Sequence, residues 1–261
     1  INPKSIALVG ISPNDNRATI AYKNLKKMGY QGEFYFVNHK YTKVHGRKCY
    51  SSINEIPDQV DCVYISIPGH FVLDVLKEAA EKGAKAAIVI SSGFGEGIDA
   101  DMEQSKELVQ FANNKGIAIC GPNCLGLISC ANHFTPYGFF LPEGLSKGKI
   151  GGVFQSGGLM HAIISELGGR NVGISTFISS GNEMVVDNSL YIEYFANDPM
   201  TEVIIAFIEG IKDIKRFEKA AELAYENKKP IILLKVGKTK KASQAAIAHT
   251  GSITGDDRVI D

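Results

Sequence analysis

At 261 residues the chain exceeds the ~100–200 residues of one ordinary domain, so two domains are expected, each long enough to bury a core. Hydrophobic residues at 44% and charged residues at 21% exclude a disordered or fibrous chain. Twenty-eight basic residues against 28 acidic ones leave no global field to attract a nucleic-acid backbone or an anionic membrane, so any anion must be bound by local geometry.

The N-terminal half alternates short β-branched runs with helix-length segments. Strands are expected over Ser5–Gly10, Glu33–Val37, Cys62–Ile67, Ala86–Ser91 and Gly116–Ile119, and helices over 16–29, 70–82 and 100–115. The alternation predicts βαβ units on a parallel sheet, and runs such as VYISI and AAIVI suit strands covered on both faces. After Asn123 the pattern lapses, as far as Lys149, into a stretch rich in Gly, Pro and aromatics that reads as a segment crossing between domains. A second series follows, with strands over Ile150–Gln155, Gly173–Ser179, Glu202–Glu209 and Pro230–Val236 and helices over 158–169, 188–196 and 213–227. Gly237–Gly255 is polar, built of small residues and without an amphipathic period, which suits a functional loop. No complete element follows it before Asp261, so a piece of a longer polypeptide or one subunit of a complex is expected.

Five cysteines, at 49, 62, 120, 124 and 130, form no CxxC pair, and the N-terminus carries no basic-plus-apolar signal segment, which fits a reducing cytoplasm. Cys120 and Cys124 have a metal-like spacing, but no second ligand pair follows, so no metal site is expected. No apolar run reaches the ~18 residues of a spanning helix.

Gly10 ends the first strand, and the loop Ile11–Arg17 leads into a helix, where a Rossmann unit receives a pyrophosphate. The dinucleotide glycine fingerprint is absent, since Ser12 and Asp15 stand at its second and third positions. The second strand runs into Asn38-His39-Lys40 instead of an acid, and a basic end suits a phosphorylated ribose, the 2′-phosphate of NADP or the 3′-phosphate of coenzyme A alike. Pro68-Gly69-His70, Ser92-Gly93-Phe94-Gly95 and Gly121-Pro122-Asn123-Cys124 follow the next three strands, at ends that line the ligand crevice of an open α/β sheet.

Ser156-Gly157-Gly158 comes straight after the strand IGGVF and opens a helix, so its N–H groups are placed to cradle a phosphate. A serine-hydrolase reading fails because the G-x-S-x-G frame is not met. Glu209, at the end of the third strand of this unit, faces the same crevice. A carboxylate beside a phosphate would repel it, so its sensible role is to hold an imidazole tautomer through an N–H. His249, among small residues in AHTGS, supplies that imidazole, and a neutral His can attack phosphorus covalently.

These segments together resemble the succinyl-CoA synthetase superfamily, most closely the α portion of NDP-forming acyl-CoA synthetases such as ADP-forming acetate–CoA ligase. The resemblance rests on SIALVGIS at 5–12, GEFYFVNHK at 32–40, ISIPGH at 65–70, SSGFGE at 91–96, CGPNCLG at 120–126, FQSGGL at 154–159, FIEGIKD at 207–213 and AHTGSITGDD at 248–257, which run the length of the chain in the family's order. It implies an α/β fold with a Rossmann-like CoA-binding domain over 1–130, a crossing segment over 131–148 and a flavodoxin-like ligase domain over 149–261, both sheets parallel. It makes His249 the phosphohistidine, Ser156, Gly157 and Gly158 its phosphoryl cradle and Glu209 the group that orients the ring. CoA is expected on Gly10, Ser12, Asn38, Lys40, Pro68, Ser92, Gly93 and Asn123.

The activity so implied makes acyl-CoA from a small carboxylic acid, CoA and ATP through an acyl phosphate. ATP with Mg2+ would sit on an ATP-grasp domain or subunit that these residues do not contain. An oligomer is expected, with no nucleic-acid or membrane partner. Two other readings stand beside it: a CoA-sensing regulatory module without turnover, and an NADP-dependent oxidoreductase.

Overall fold

Strands made of successive apolar residues are buried on both faces, and the first half of the chain assembles them into one sheet. The protein is described by a computed structural model over residues 1–94 and 102–236. The first sheet holds β1 (Ser5–Val9), β2 (Glu33–Val37), β3 (Lys43–Val44), β4 (Arg47–Tyr50), β5 (Cys62–Ile65), β6 (Ala86–Val89) and β7 (Ala118–Cys120), in the order β3-β4-β2-β1-β5-β6-β7. Helices α1 (Arg17–Lys27), α2 (Val72–Glu81) and α3 (Met102–Lys115) cover it. The pairs are parallel except the hairpin β3–β4. That hairpin escaped the alternation because its short, charged strands have no apolar period, yet it docks by parallel pairing of Cys49 with Phe36.

The second sheet holds β8 (Gly126–Ser129), β9 (Lys147–Phe154), β10 (Ile174–Ser179), β11 (Val203–Ile208) and β12 (Ile231–Lys235), in the order β12-β11-β9-β10-β8. Its helices are α4 (Gly157–Gly169), α5 (Asn188–Asn197) and α6 (Ile214–Glu226). Here β8 pairs antiparallel with β10, while the other pairs are parallel. Residues 126–129, expected within the irregular stretch after Asn123, form a strand. An antiparallel edge strand needs no crossover helix, so GLIS joins the second sheet without the helix–strand rhythm that marks the others. Each sheet is therefore parallel with one antiparallel pair at an edge.

One core cluster runs through both units, joining Ile6 and Leu8 of β1 to Cys120, Cys124 and Leu127 and then to Val153, Ile178 and Ile192. Each aliphatic side chain among them contributes about 1.5–3 kcal/mol on burial, so the units are packed together by apolar surface as well as by the chain. The chain leaves β1 for β2 on one side and returns to β5 on the other. It repeats this around β9, with β10 on one side and β11 on the other. These two reversals open a crevice at the carboxyl ends of the strands, where α/β proteins bind ligands.

Candidate active site

At the first reversal Gly10 has φ +91°, and a Cβ there would lie 2.2 Å from the Ser66 carbonyl oxygen, so only glycine lets the β1 and β5 ends approach. The missing glycine fingerprint is replaced by side chains. Asn16 caps α1 by accepting the Thr19 N–H at 2.9 Å and donates to the Gly10 carbonyl at 2.8 Å, while the Thr19 hydroxyl donates to the Ser12 carbonyl at 2.8 Å. Beside this loop lies a cavity of about 740 Å³ with Gly10, Ser12, Asn38, Lys40 and Pro68 in its wall. Asn38 is anchored by donating to the Ile11 carbonyl at 2.7 Å.

Ser92, Gly93 and Asn123 lie outside that lining. Ser92 packs against Gly69, the residue after Pro68, where an added Cβ would come within 2.5 Å of the Ser92 carbonyl oxygen. The cavity also includes Tyr41, Ser51, Ser52, Phe71, Asp74 and Glu78, which sequence reasoning missed. Ser51 and Ser52 follow β4, so the unread hairpin concealed two more strand-end residues. Asp74 and Glu78 are one turn apart on α2, and Glu78 accepts the Ile53 N–H at 2.9 Å.

At the second reversal the ends of β11, β9 and β10 bring Glu209, Ser156 and Ser180 side by side. Ser156 caps α4, its hydroxyl accepting the Leu159 N–H at 3.3 Å. The helix itself leaves the Gly157 and Gly158 N–H groups without an acceptor. A Cβ on Gly157 would strike Leu125 Cγ at 2.6 Å, whereas one on Gly158 would meet nothing within 4 Å. The first glycine thus allows close packing, and the second leaves open space above the helix start. Glu209 is 6% exposed, and its Oε2 has no hydrogen-bond partner among the described residues. His249 and the loop Gly237–Gly255 lie outside the described residues, as does Gly95.

Two glutamine and glutamate side chains that sequence reasoning did not single out organise this end of the sheet. Gln155 Oε1 accepts the N–H groups of Glu209 and Gly210, and its Nε2 donates to the Gly210 carbonyl. Glu183 is 1% exposed and accepts from Ser180 Oγ at 2.6 Å and Asn188 Nδ2 at 2.9 Å. Burial pushes its carboxyl up to about 7. Gln155 adjoins the SGG segment and Glu183 follows a strand end in SGNE, which were the only signals available.

Asn123 has φ +55° and donates from Nδ2 to Asn182 Oδ1 at 3.3 Å, so the loop after β7 touches the loop after β10. Cys120 and Cys124 are buried free thiols, and burial raises the Cys124 thiol well above its usual range. Among the described residues no group of three or more His, Cys, Asp or Glu is placed to hold a metal ion, and no helix is long and apolar enough to cross a membrane.

Residues 4–129 match the family model of a CoA binding domain, and residues 147–261 that of the succinyl-CoA ligase like flavodoxin domain. The alpha subunit of ADP-forming acetate–CoA ligase I from Pyrococcus furiosus is 37% identical over a gapped alignment of 266 positions, which covers 99% of this chain and 56% of that protein. ADP-forming acetate–CoA ligase from Methanocaldococcus jannaschii is 36% identical over 260 residues, covering 99% of this chain and 36% of that protein. The chain spans about half, or less, of the length of these two relatives. A solved structure of Ca. Korarchaeum cryptofilum dinucleotide forming acetyl-coenzyme A synthetase 1, in complex with phosphate and ADP, superposes with a TM-score of 0.88 at 33% identity, over 99% of this chain and 55% of that one.

Proposed function

The chain belongs to the succinyl-CoA synthetase superfamily, and we propose that it is the CoA-binding and phosphoryl-transfer portion of an NDP-forming acyl-CoA synthetase, an acid–thiol ligase. The observation that carries this reading is the second reversal, where a glycine-opened helix start stands beside a buried carboxylate with one unpartnered oxygen. Phosphate suits the first and an imidazole N–H the second.

The reaction is reversible in this reading. Starting from acyl-CoA, a phosphate oxygen attacks the thioester carbonyl, the C–S bond breaks and CoA leaves as the thiol. A nitrogen of His249 then attacks phosphorus, the P–O bond to the acyl group breaks and the carboxylate leaves. Glu209 accepts the other ring N–H, keeping the attacking nitrogen unprotonated, and the Gly157 and Gly158 N–H groups hold the phosphoryl oxygens. The helix dipole adds about 0.3–2 kcal/mol to those hydrogen bonds. Phosphohistidine finally gives its phosphoryl group to a nucleoside diphosphate on an ATP-grasp domain or subunit, which supplies the Mg2+ site. Run backwards, the sequence makes acyl-CoA from a small carboxylic acid, CoA and ATP.

CoA occupies the cavity at the first reversal, with Lys40 toward its 3′-phosphate and Gly10, Ser12, Asn38 and Pro68 along the wall. Ser92, Gly93 and Asn123 lie on the path by which the thiol end reaches the second reversal. Five buried free thiols suit a cytoplasmic setting, and an oligomer with the nucleotide-binding module is the working form. The test is acid-labile phosphoryl label on the full-length protein supplied with acyl-CoA and labelled phosphate. Label that is undiminished in His249→Ala overturns the assignment.

A further inference from the structure

Behind the second reversal lies a buried acid that the reaction above does not use. Glu183 has a left-handed backbone conformation, φ +53°, and its side chain and its neighbouring backbone make two separate sets of contacts. Its carboxyl group receives Ser180 Oγ and Asn188 Nδ2, and Asn188 Nδ2 also donates to the Gly210 carbonyl at 3.0 Å, the peptide that Gln155 holds next to Glu209. The backbone on either side of Glu183 runs along the end of β7. There the Asn182 N–H donates to the Pro122 carbonyl at 2.9 Å and the Met184 N–H to the Gly121 carbonyl at 3.1 Å. Gly181 completes the approach, since a Cβ on it would lie 2.3 Å from the Pro122 carbonyl oxygen.

We propose that Glu183 is a positioning residue that holds the Gly121–Cys124 loop and the Glu209–Ile211 segment in one register, and that loss of the proton from its carboxyl group releases that register. The inference rests on the function proposed above, in which those loops carry the thiol and phosphoryl halves of one reaction.

The direction follows from burial. The carboxyl group titrates at about 7 instead of about 4.5 because an anion there is desolvated, although Ser180, Gln155, Asn188 and Lys212 each favour it. Among the described residues, the charged and titratable groups that interact with it are Cys120 from β7, Tyr191 from α5 and Lys212 beyond β11, the last also facing Asp187 just before α5. Lys212 Nζ donates to the main-chain carbonyls of Asn182 at 2.9 Å and Glu183 at 2.8 Å, so it favours the anion through its charge and not through a direct hydrogen bond to the carboxylate. When the loop opens and water reaches the carboxyl group, its affinity for a proton falls to the ordinary value. A group held more tightly protonated in the closed state contributes stability that is complete below pH ~4.5 and is lost as pH rises through ~7. Raising the pH therefore favours opening. From pH 6 to pH 8.5 the two affinities give about a tenfold increase in the open fraction.

Amide hydrogen exchange on the full-length protein, corrected for intrinsic rates, tests this at pH 6 and 8.5. The amides of Asn182, Met184 and Gly210 should open together, about tenfold more at the higher pH. In Glu183→Gln the pH dependence should vanish, because the amide keeps the size and an acceptor oxygen but carries no titrating proton. Ser180→Ala, which removes one donor to the anion, should move the midpoint upward. A parent protein with no pH dependence at these amides overturns the proposal, as does a Glu183→Gln variant that retains it. In turnover, kcat and not KM for CoA should fall on the alkaline side in the parent and stay level in Glu183→Gln. Exchange that behaves as described in a protein that never phosphorylates His249 supports the coupling and removes the proposed function.

Discussion

Gln155 grips the Gly210 peptide by both of its polar groups, accepting the N–H at Oε1 and donating Nε2 to the carbonyl, each at 3.1 Å. The same Oε1 takes the N–H of Glu209, so the amide fixes the direction in which the Glu209 carboxylate leaves the strand. Three hydrogen bonds from one buried side chain make β9 the template for the end of β11.

Gln155→Met preserves volume and removes all three bonds. Two backbone N–H groups then lose their partner, while the Gly210 carbonyl keeps Asn188. The expected cost is about 2–4 kcal/mol, read as a shift of the urea midpoint with an unchanged slope. A loss below about 0.5 kcal/mol would mean that water replaces the amide and that Glu209 is aimed by something else.

The two glycines at the start of α4 should respond differently to alanine. At position 157 the added Cβ meets Leu125 Cγ at 2.6 Å, so the side chain must shift and stability should fall by about 1–3 kcal/mol. At position 158 the Cβ enters open space, and the better helix propensity should leave stability unchanged or raise it by up to about 1 kcal/mol. If phosphoryl oxygens approach there, Gly158→Ala loses transfer while gaining stability. Thermal melts paired with phosphohistidine yield separate the effects, and a fully active Gly158→Ala would place the phosphoryl group elsewhere.

Much of this was legible in the chain. Gly10, Ser156 and Glu209 each follow a run of apolar residues, and a parallel sheet gathers such positions along one edge whatever the loops between them do. What stayed hidden depends on partners far apart in sequence. Gln155 is meaningful only when Glu209 and Gly210 arrive beside it, and Glu183 only when the loop after β10 lies along β7. The β3–β4 hairpin and β8 were missed because short edge strands carry no apolar rhythm, and with them went Ser51 and Ser52. The loop after Gly10 lacks a glycine fingerprint, and Asn16 and Thr19 close it instead with side-chain hydrogen bonds.

Lys40 is exposed and lines the first cavity, which Asp74 and Glu78 also line. Those acids oppose a general attraction for anions, so discrimination should rest on Lys40 itself. CoA should bind more tightly than dephospho-CoA by about 1–2 kcal/mol, nearer the exposed-pair limit than the buried one. Calorimetry with the two ligands measures the difference, and Lys40→Ala should abolish it without weakening dephospho-CoA. Equal affinities in the parent would remove Lys40 from the site.

Glu209 decides between a ligase and a CoA sensor, since only the ligase needs a carboxylate to hold an imidazole. Its backbone N–H is held by Gln155 and its carbonyl accepts Lys235 Nζ at 3.0 Å, so the side chain can change without releasing the main chain. Glu209→Gln keeps the size and still accepts through the amide oxygen, but it loses the charge that favours a protonated, phosphorylated ring. The fold should survive, because Oε2 has no partner among the described residues to lose. CoA affinity should also be unchanged, as the cavity at the first reversal does not include this residue. Phosphoryl transfer to His249 should slow by ~10²-fold or more, the usual penalty for a lost acid–base partner. Single-turnover labelling beside a thermal melt reads both properties in one preparation. Transfer at the parental rate would leave Glu209 as a strand-end acid with no part in the chemistry, and a parent that binds CoA but accepts no phosphoryl group would make this chain a sensor.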